Sequence, residues 1–235
     1  MPRFELIEAG HVWVGHLEDP AGDAWRSVIS PTERLAADRF LAPLHRTRYA
    51  VAHGRLRQIL GSYLGQTHYE GGFTIGAQGK PFLPGDPSLQ FNLAHAGDRF
   101  AVAVSRHPVG VDIEAIDREV EVERIITSFF SETERTGLLG LPSADHLASF
   151  FHLWTQKEAY LKGRGDGVVF GLDHFDVEAA PDRPACLHAD RRDPTATGRW
   201  HLGSSTAISG YRLAWSIAED PDPARLVILG PETSR

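Results

Sequence analysis

Apolar and polar positions follow two rhythms along this chain. From Tyr49 the apolar residues Tyr49, Ala52, Leu56, Ile59, Leu60 and Tyr63 recur at the three-and-four spacing of a helix with one face in a core. Gly65 stands where such a helix would end in a left-handed residue. Ahead of it, Ser30-Pro31-Thr32-Glu33 has the form of a helix start, with serine as cap, proline at the first helical position and glutamate reaching back to the cap. That predicts a helix running to about Leu41. A second capping box, Ser131-Glu132-Thr133-Glu134, predicts a short helix ended by Gly140 and Pro142, and a longer helix follows over 144–162. Between the two helical regions, Gly71, Gly72, Gly76, Gly79, Pro81, Pro84, Gly85 and Pro87 exclude helix and leave room for short strands at 73–75 and 89–93. Residues 100–104 and 109–113 are β-type runs separated by His107-Pro108, and further strands are predicted at 200–202, 211–217 and 226–229. Helices and strands mix without a βαβ period, so the predicted class is α+β. The runs at 100–104 and 212–217 read as equivalent strands of two related halves.

Composition narrows the function classes. With 235 residues, 42% of them hydrophobic and 23% charged, the chain is an ordinary globular protein, long enough for one large domain or two small ones. A formal net charge of −7 gives no global field for nucleic acid or an anionic membrane, so an anionic ligand must be met by a local cluster of basic groups. The single cysteine, Cys186, cannot form an internal disulfide, and neither a leader-like start nor a membrane-length apolar run is visible. We expect a cytoplasmic protein.

Basic residue choice is lopsided. Only three of the 24 basic residues are lysine: Lys80, Lys157 and Lys162. Lysine is a compact point charge that can lend a proton, whereas arginine is a planar fork that keeps its own. Two of the three lie in FHLWTQKEAYLKGRGDGV, residues 151–168. On a helix Trp154, Glu158 and Lys162 share a face, while Lys157 points elsewhere between Leu153 and Leu161. In VGVDIEAID, strand alternation turns Val109, Val111 and Ile113 one way and Asp112 and Glu114 the other. Two adjacent carboxylates in a cleft ask for a cation, and Mg²⁺, which takes a few carboxylates plus phosphate oxygens, suits them. The plain alternatives are a solvent-facing strand side for the carboxylates and an ordinary Glu158–Lys162 surface pair for the helix. Twelve histidines show no zinc pattern, and neither a P-loop nor a nucleophile elbow is present.

Taken together, GKPFLP, FNLAHAG, VGVDIE, FFSETE and WTQKEAYLKGRGDG make the chain resemble the 4′-phosphopantetheinyl transferases, in their longer, Sfp-like, pseudo-dimeric type. The resemblance spans Lys80 to Gly167 and extends more weakly to ISPTER and HRTRYAVAHGRLR. It implies two similar subdomains in a pseudo-twofold arrangement, 1–108 with coenzyme A contacts and 109–235 with the metal site and catalytic helix. It also implies an active monomer with the site between the halves. The implied reaction moves the phosphopantetheine arm of coenzyme A to a serine of an apo acyl or peptidyl carrier protein and releases 3′,5′-ADP. By resemblance, Asp112, Glu114 and Glu158 hold Mg²⁺, Glu158 takes the serine proton, and Lys162 neutralises or protonates the leaving phosphate. Arg46, Thr47, Lys80, Asn92, His95 and Lys162 would contact coenzyme A, while Lys157, on another helix face, is expected either to be structural or to support the groups that touch the ligand.

Two departures matter. Ala94 and Ala96 flank His95 where the family often has serines, and Glu33 and Ala36 stand where some members have lysines for the 3′-phosphate. Arg34 or Arg39 is the expected substitute. Residues 120–130 fall in the family's carrier-docking region, with Val120, Val122, Ile125 and Ile126 expected to receive an apolar helix. Two other readings use the same residues: a catalytically silent coenzyme A or carrier-binding module, and a metal-dependent phosphodiesterase.

Overall fold

The computed structural model describes residues 10–116, 119–167, 171–219 and 225–228, the side chains of 225–227 excepted. Two sheets form its centre, antiparallel throughout except where β11 pairs with β1. One has the order β11-β1-β5-β4, from Arg225–Ile228, His11–His16, Arg99–Ser105 and Gln90–Ala96. The other has the order β6-β10-β9, from Val109–Ala115, Tyr211–Ala218 and Trp200–Ser205. Two small ribbons pair β2 (Thr74–Ile75) with β3 (Pro81–Phe82) and β7 (Phe175–Val177) with β8 (Leu187–Asp190). Each main sheet carries one long helix, α2 (Pro43–Leu64) on the first and α5 (His146–Arg164) on the second.

The alternation along β5 explains the layering. Phe100, Val102 and Val104 join Trp13, Phe91, Val51, Leu56 and Ile59 in a core between sheet and α2. The intervening Ala101 and Ala103, with Val12, Val14 and Ala94, meet Val109, Val111 and Ile113 of β6 and Leu213 and Ile217 of β10. Small residues on one sheet thus face branched ones on the other, and the sheets press together between the helices. A third core under α5 contains Phe150, Phe151, Leu153, Tyr160 and Trp200. The α+β class holds, and the repeated plan of sheet plus helix accords with two related halves. The far end of the chain nevertheless returns to the first half, because β11 runs parallel to β1 in the register His11 to Arg225. A cut at residue 108 therefore separates most of each half but not that strand.

Both capping boxes form as read. Ser30 and Glu33 cap α1 (Pro31–Asp38), and Ser131 and Glu134 cap α4 (Glu132–Leu139). The helix from Tyr49 begins six residues earlier, at Pro43, because proline suits the first helical position there. Among the elements outside the sequence reading are β1, whose apolar run is only a few residues long, the short strands β3, β7 and β8, and α3 (Val122–Phe129). The α3 helix and the segment leading into it carry the residues of the docking expectation. Ile126 is fully buried, whereas Val120, Val122 and Ile125 are half-buried and pack against the α5 core. Phe129, 54% exposed, is the large apolar side chain that α3 leaves at the surface.

Gly110 on β6 marks the closest approach of sheet and helix. A Cβ there would lie 2.0 Å from the Ala159 carbonyl oxygen and 2.3 Å from the Gly163 nitrogen, both backbone atoms of α5. Gly110→Ala is therefore expected to push α5 off the sheet and cost about 3 kcal/mol, at the upper end of overpacking effects. Urea unfolding measures it, and a midpoint unchanged from the wild type contradicts this packing.

Candidate active site

The predicted strand alternation places the carboxylates. With Val109, Val111 and Ile113 committed to the seam between the sheets, Gly110, Asp112 and Glu114 face α5. From α5, Trp154, Glu158 and Lys162 come down one face at four-residue steps. Lys162 Nζ donates to Asp112 Oδ1 at 2.5 Å, and Trp154 Nε1 donates to Glu114 Oε1 at 3.2 Å. The surface-pair reading of Glu158 with Lys162 is thus replaced by a cross-element pair that joins the helix to the strand.

Asp112 is almost wholly buried, and its second carboxylate oxygen, Oδ2, has no hydrogen-bond partner. Burial raises its proton affinity; Lys162 opposes that rise, and the charges of Glu114 and Glu158 add to it. Glu158 is raised in the same way, by burial first, with Lys162 opposing and Glu114 adding. Lys162 loses hydration by burial, but Asp112, Glu158 and Glu114 together hold it protonated. The three carboxylates therefore sense one another across one cleft, with the ammonium among them. Among the described residues, no group of three His, Cys, Asp or Glu side chains is drawn together tightly enough to hold a metal ion. The donor set still fits a hard cation: a buried oxygen of Asp112 is left without a partner, and the charges of Glu114 and Glu158 are near enough to act on it.

The cleft opens into two adjoining cavities. One, of about 420 Å³, is lined by Lys80, Asn92, Glu158, Leu161, Lys162 and Gly165 among others. The second, of about 720 Å³, shares Gly79, Pro81, Asn92 and Leu93 with it and is lined further by Tyr49, His53 and His95. The structure thus brings Lys80, Asn92, His95, Glu158 and Lys162 to one continuous hollow between the halves.

Other expected contacts lie elsewhere. Arg46 spends its guanidinium on the Phe40 and Leu41 carbonyls, Thr47 turns its hydroxyl to Asp23, and neither lines these cavities. Arg34 donates to the Arg26 and Ile29 carbonyls, so it holds the chain ahead of α1. Asn92 Oδ1 accepts from the Val111 N–H at 2.9 Å, and Lys80 Nζ donates to the carbonyls of Val109 and Gly163. Lys157 is structural: it is buried in an ion pair with Glu134 and donates to the Leu172 and Phe175 carbonyls.

Three wall residues escape a reading by motif: Tyr49, His53 and Arg57. They follow one another at four-residue steps on α2, and that spacing is the signal that could have found them. Tyr49 and His53 stack with ring centroids 4.0 Å apart, and His53 Nδ1 lies 3.1 Å from Glu33 Oε1. Arg57 donates through Nε to Glu33 Oε2 at 2.7 Å and through Nη1 to the Tyr69 and Gly71 carbonyls. Glu33 is thus an anchor of the cavity wall, and it is not available as a phosphate contact. Burial alone would raise its pKa, but hydrogen bonds from His53, Arg57 and the Ser30 N–H hold it at about 2. Because the folded value is depressed, the stabilisation is present above the unfolded carboxyl's pKa of about 4.3 and is lost as pH falls towards about 2. Glu33→Gln is expected to flatten the acid limb of stability against pH in that window. Urea midpoints between pH 5 and 2 test it, and parallel wild-type and variant curves would count against the anchor.

Comparison with known proteins agrees with this geometry. The chain matches the family model for the 4′-phosphopantetheinyl transferase superfamily over residues 108–216, a span that begins just before β6 and includes α5. It is 34% identical over 193 residues to the 4′-phosphopantetheinyl transferase HetI of Nostoc sp., covering 79% of this chain and 81% of that protein. It is also 35% identical to the 4′-phosphopantetheinyl transferase psf-1 of Bacillus pumilus, over 68% of this chain and 67% of that one. With the 4′-phosphopantetheinyl transferase Sfp of Bacillus subtilis it shares 26% identity across 92% of this chain and 94% of that protein. The chain belongs to the 4′-phosphopantetheinyl transferases, and it is an enzyme of that family.

Proposed function

We propose that the cleft between the halves carries out transfer of the phosphopantetheine arm of coenzyme A to a serine hydroxyl of an apo acyl or peptidyl carrier protein. The serine oxygen forms a bond to the β-phosphorus, the bond to the departing phosphate breaks, and 3′,5′-ADP leaves. Asp112, Glu114 and Glu158 would hold Mg²⁺, which supplies charge neutralisation on the pyrophosphate when bound. Glu158, whose burial raises its proton affinity, takes the serine proton at its carboxylate. Lys162, kept protonated by the carboxylates around it, faces the leaving phosphate and offsets the charge that develops there. Asn92 and His95 line the path by which the nucleotide end enters.

The observation that carries this reading is the partly buried contact of Lys162 with Asp112, which leaves a second Asp112 oxygen without a partner and under the charges of Glu158 and Glu114. Both walls come from one chain, which supports the monomer as the active unit. No described helix is long and apolar enough to cross a membrane, and we place the reaction in the cytoplasm, with no nucleic acid partner.

Coenzyme A consumption with release of 3′,5′-ADP is expected only when apo carrier and Mg²⁺ are both present. A chelator should stop it and added Mg²⁺ restore it. Release of free phosphopantetheine without carrier would mark a phosphodiesterase instead, and retained coenzyme A binding without turnover would mark a silent binding module.

A further inference from the structure

Lys80 lies in the loop between β2 and β3, in the first half of the chain, yet its ammonium reaches across into the second. Nζ donates at 2.9 Å to the Val109 carbonyl, at the start of β6, and at 2.6 Å to the Gly163 carbonyl, in the last turn of α5. Gly163 O is one of the terminal carbonyls for which the helix itself supplies no partner. The side chain is largely removed from water, which lowers its pKa to about 8. Its stem lies against Gly165, which ends α5 in the left-handed conformation at φ 75°; a Cβ at that position would stand 3.2 Å from Lys80 Cδ. Two residues into β6, the Val111 N–H is held from the same side by Asn92.

These contacts bracket the reacting groups. Val109 is three residues before Asp112 on β6, and Gly163 directly follows Lys162 on α5. One ammonium therefore fixes the separation of the strand and the helix end whose side chains meet in the Asp112–Lys162 contact. We infer that Lys80 is a positioning residue, which ties β6 to the end of α5 and so sets where Lys162 stands relative to Asp112. The role rests on the transferase reading of the site, and it differs from a phosphate contact because both hydrogen bonds go to backbone oxygens. Arginine is a poor substitute here: it is longer and spreads its donors over a flat fork, so in the space that one ammonium fills its donors fall at other points.

The test compares Lys80→Met and Lys80→Arg with the wild type by steady-state kinetics, coenzyme A binding calorimetry and amide hydrogen exchange. In Lys80→Met, kcat is expected to fall roughly a hundredfold, the scale of an ångström-sized misplacement, while coenzyme A affinity stays within about threefold. Amide exchange should rise in residues 161–165 and 109–112 and stay unchanged in α2, and Lys80→Arg should not rescue. A phosphate contact would give the opposite split: coenzyme A affinity lost, kcat kept at saturation and partial rescue by arginine. A lowered Tm with normal kcat would reduce Lys80 to general stability. The exchange data separate the two hypotheses. A wild type that loads no carrier overturns the transferase reading, whereas unchanged exchange at 161–165 in Lys80→Met overturns the positioning role.

Discussion

Asp112→Asn is expected to lower kcat/KM for carrier loading by on the order of 10²–10³, comparable with removing one preorganised charge-stabilising group from an active site. The amide keeps the shape of the side chain in its buried place between β6 and α5, so the fold survives. What is lost is the charge. Asparagine cannot hold Lys162 as a paired ammonium, and it replaces the unpartnered Oδ2 by a group less able to ligate a hard cation. Because Asp112 is costly to keep ionised where it is, the same substitution should leave the urea midpoint unchanged or raise it. Steady-state loading of an apo carrier, paired with urea unfolding, reads both effects. Near-normal activity would remove Asp112 from the site.

Glu134→Ala carries the largest expected effect on stability, about 3–5 kcal/mol, the cost of leaving one member of a buried ion pair unpartnered. Glu134 and Lys157 have side chains 1% and 0% exposed and meet at 2.7 Å. Glu134 also accepts from the Val177 and Ser131 N–H groups, so its loss uncaps α4 and releases β7 as well. At roughly 2–4 °C per kcal/mol for a chain of this size, Tm should fall by about 6–20 °C. Calorimetry measures it, and a fall under about 2 °C would show that the pair is not holding α4, α5 and β7 together.

The preference for lysine at three positions now has a physical account. Each is a compact ammonium that gathers its oxygens at one point, where arginine spreads its donors over a planar fork. Lys157 meets a carboxylate and two carbonyls inside a core, Lys80 meets two carbonyls of the opposite half, and Lys162 meets Asp112. The sequence makes Lys157 distinct from Lys162 because helical geometry alone turns them to different faces. It does not disclose their partners. Asp112 is fifty residues from Lys162 along the chain, and Gly163 is 83 from Lys80. Local patterns rank the four-residue neighbour Glu158 first, and only the packing of β6 on α5 reverses that order.

The same division runs through the fold. Period-two alternation in 109–113 suffices to orient Asp112 and Glu114, and two capping boxes suffice to start α1 and α4. Short elements such as β1, β7 and β8 carry too few residues for a period to emerge, and β11 joins β1 only through tertiary pairing. The apolar residues of α3 illustrate another limit. An amphipathic stretch announces that one face is covered, but not whether its own core or a partner covers it.

The most direct measurement is the intact mass of a purified apo carrier protein after incubation with this enzyme, coenzyme A and Mg²⁺. It should be run beside the same carrier with its acceptor serine changed to alanine and beside the Glu158→Gln enzyme. A gain of one phosphopantetheine is expected on the serine carrier, none on the alanine carrier, and a gain slowed by on the order of 10² or more with Glu158→Gln. No gain on any of several acyl and peptidyl carriers, with the enzyme folded and coenzyme A bound, would contradict it. So would a Glu158→Gln enzyme that loads carrier at the wild-type rate.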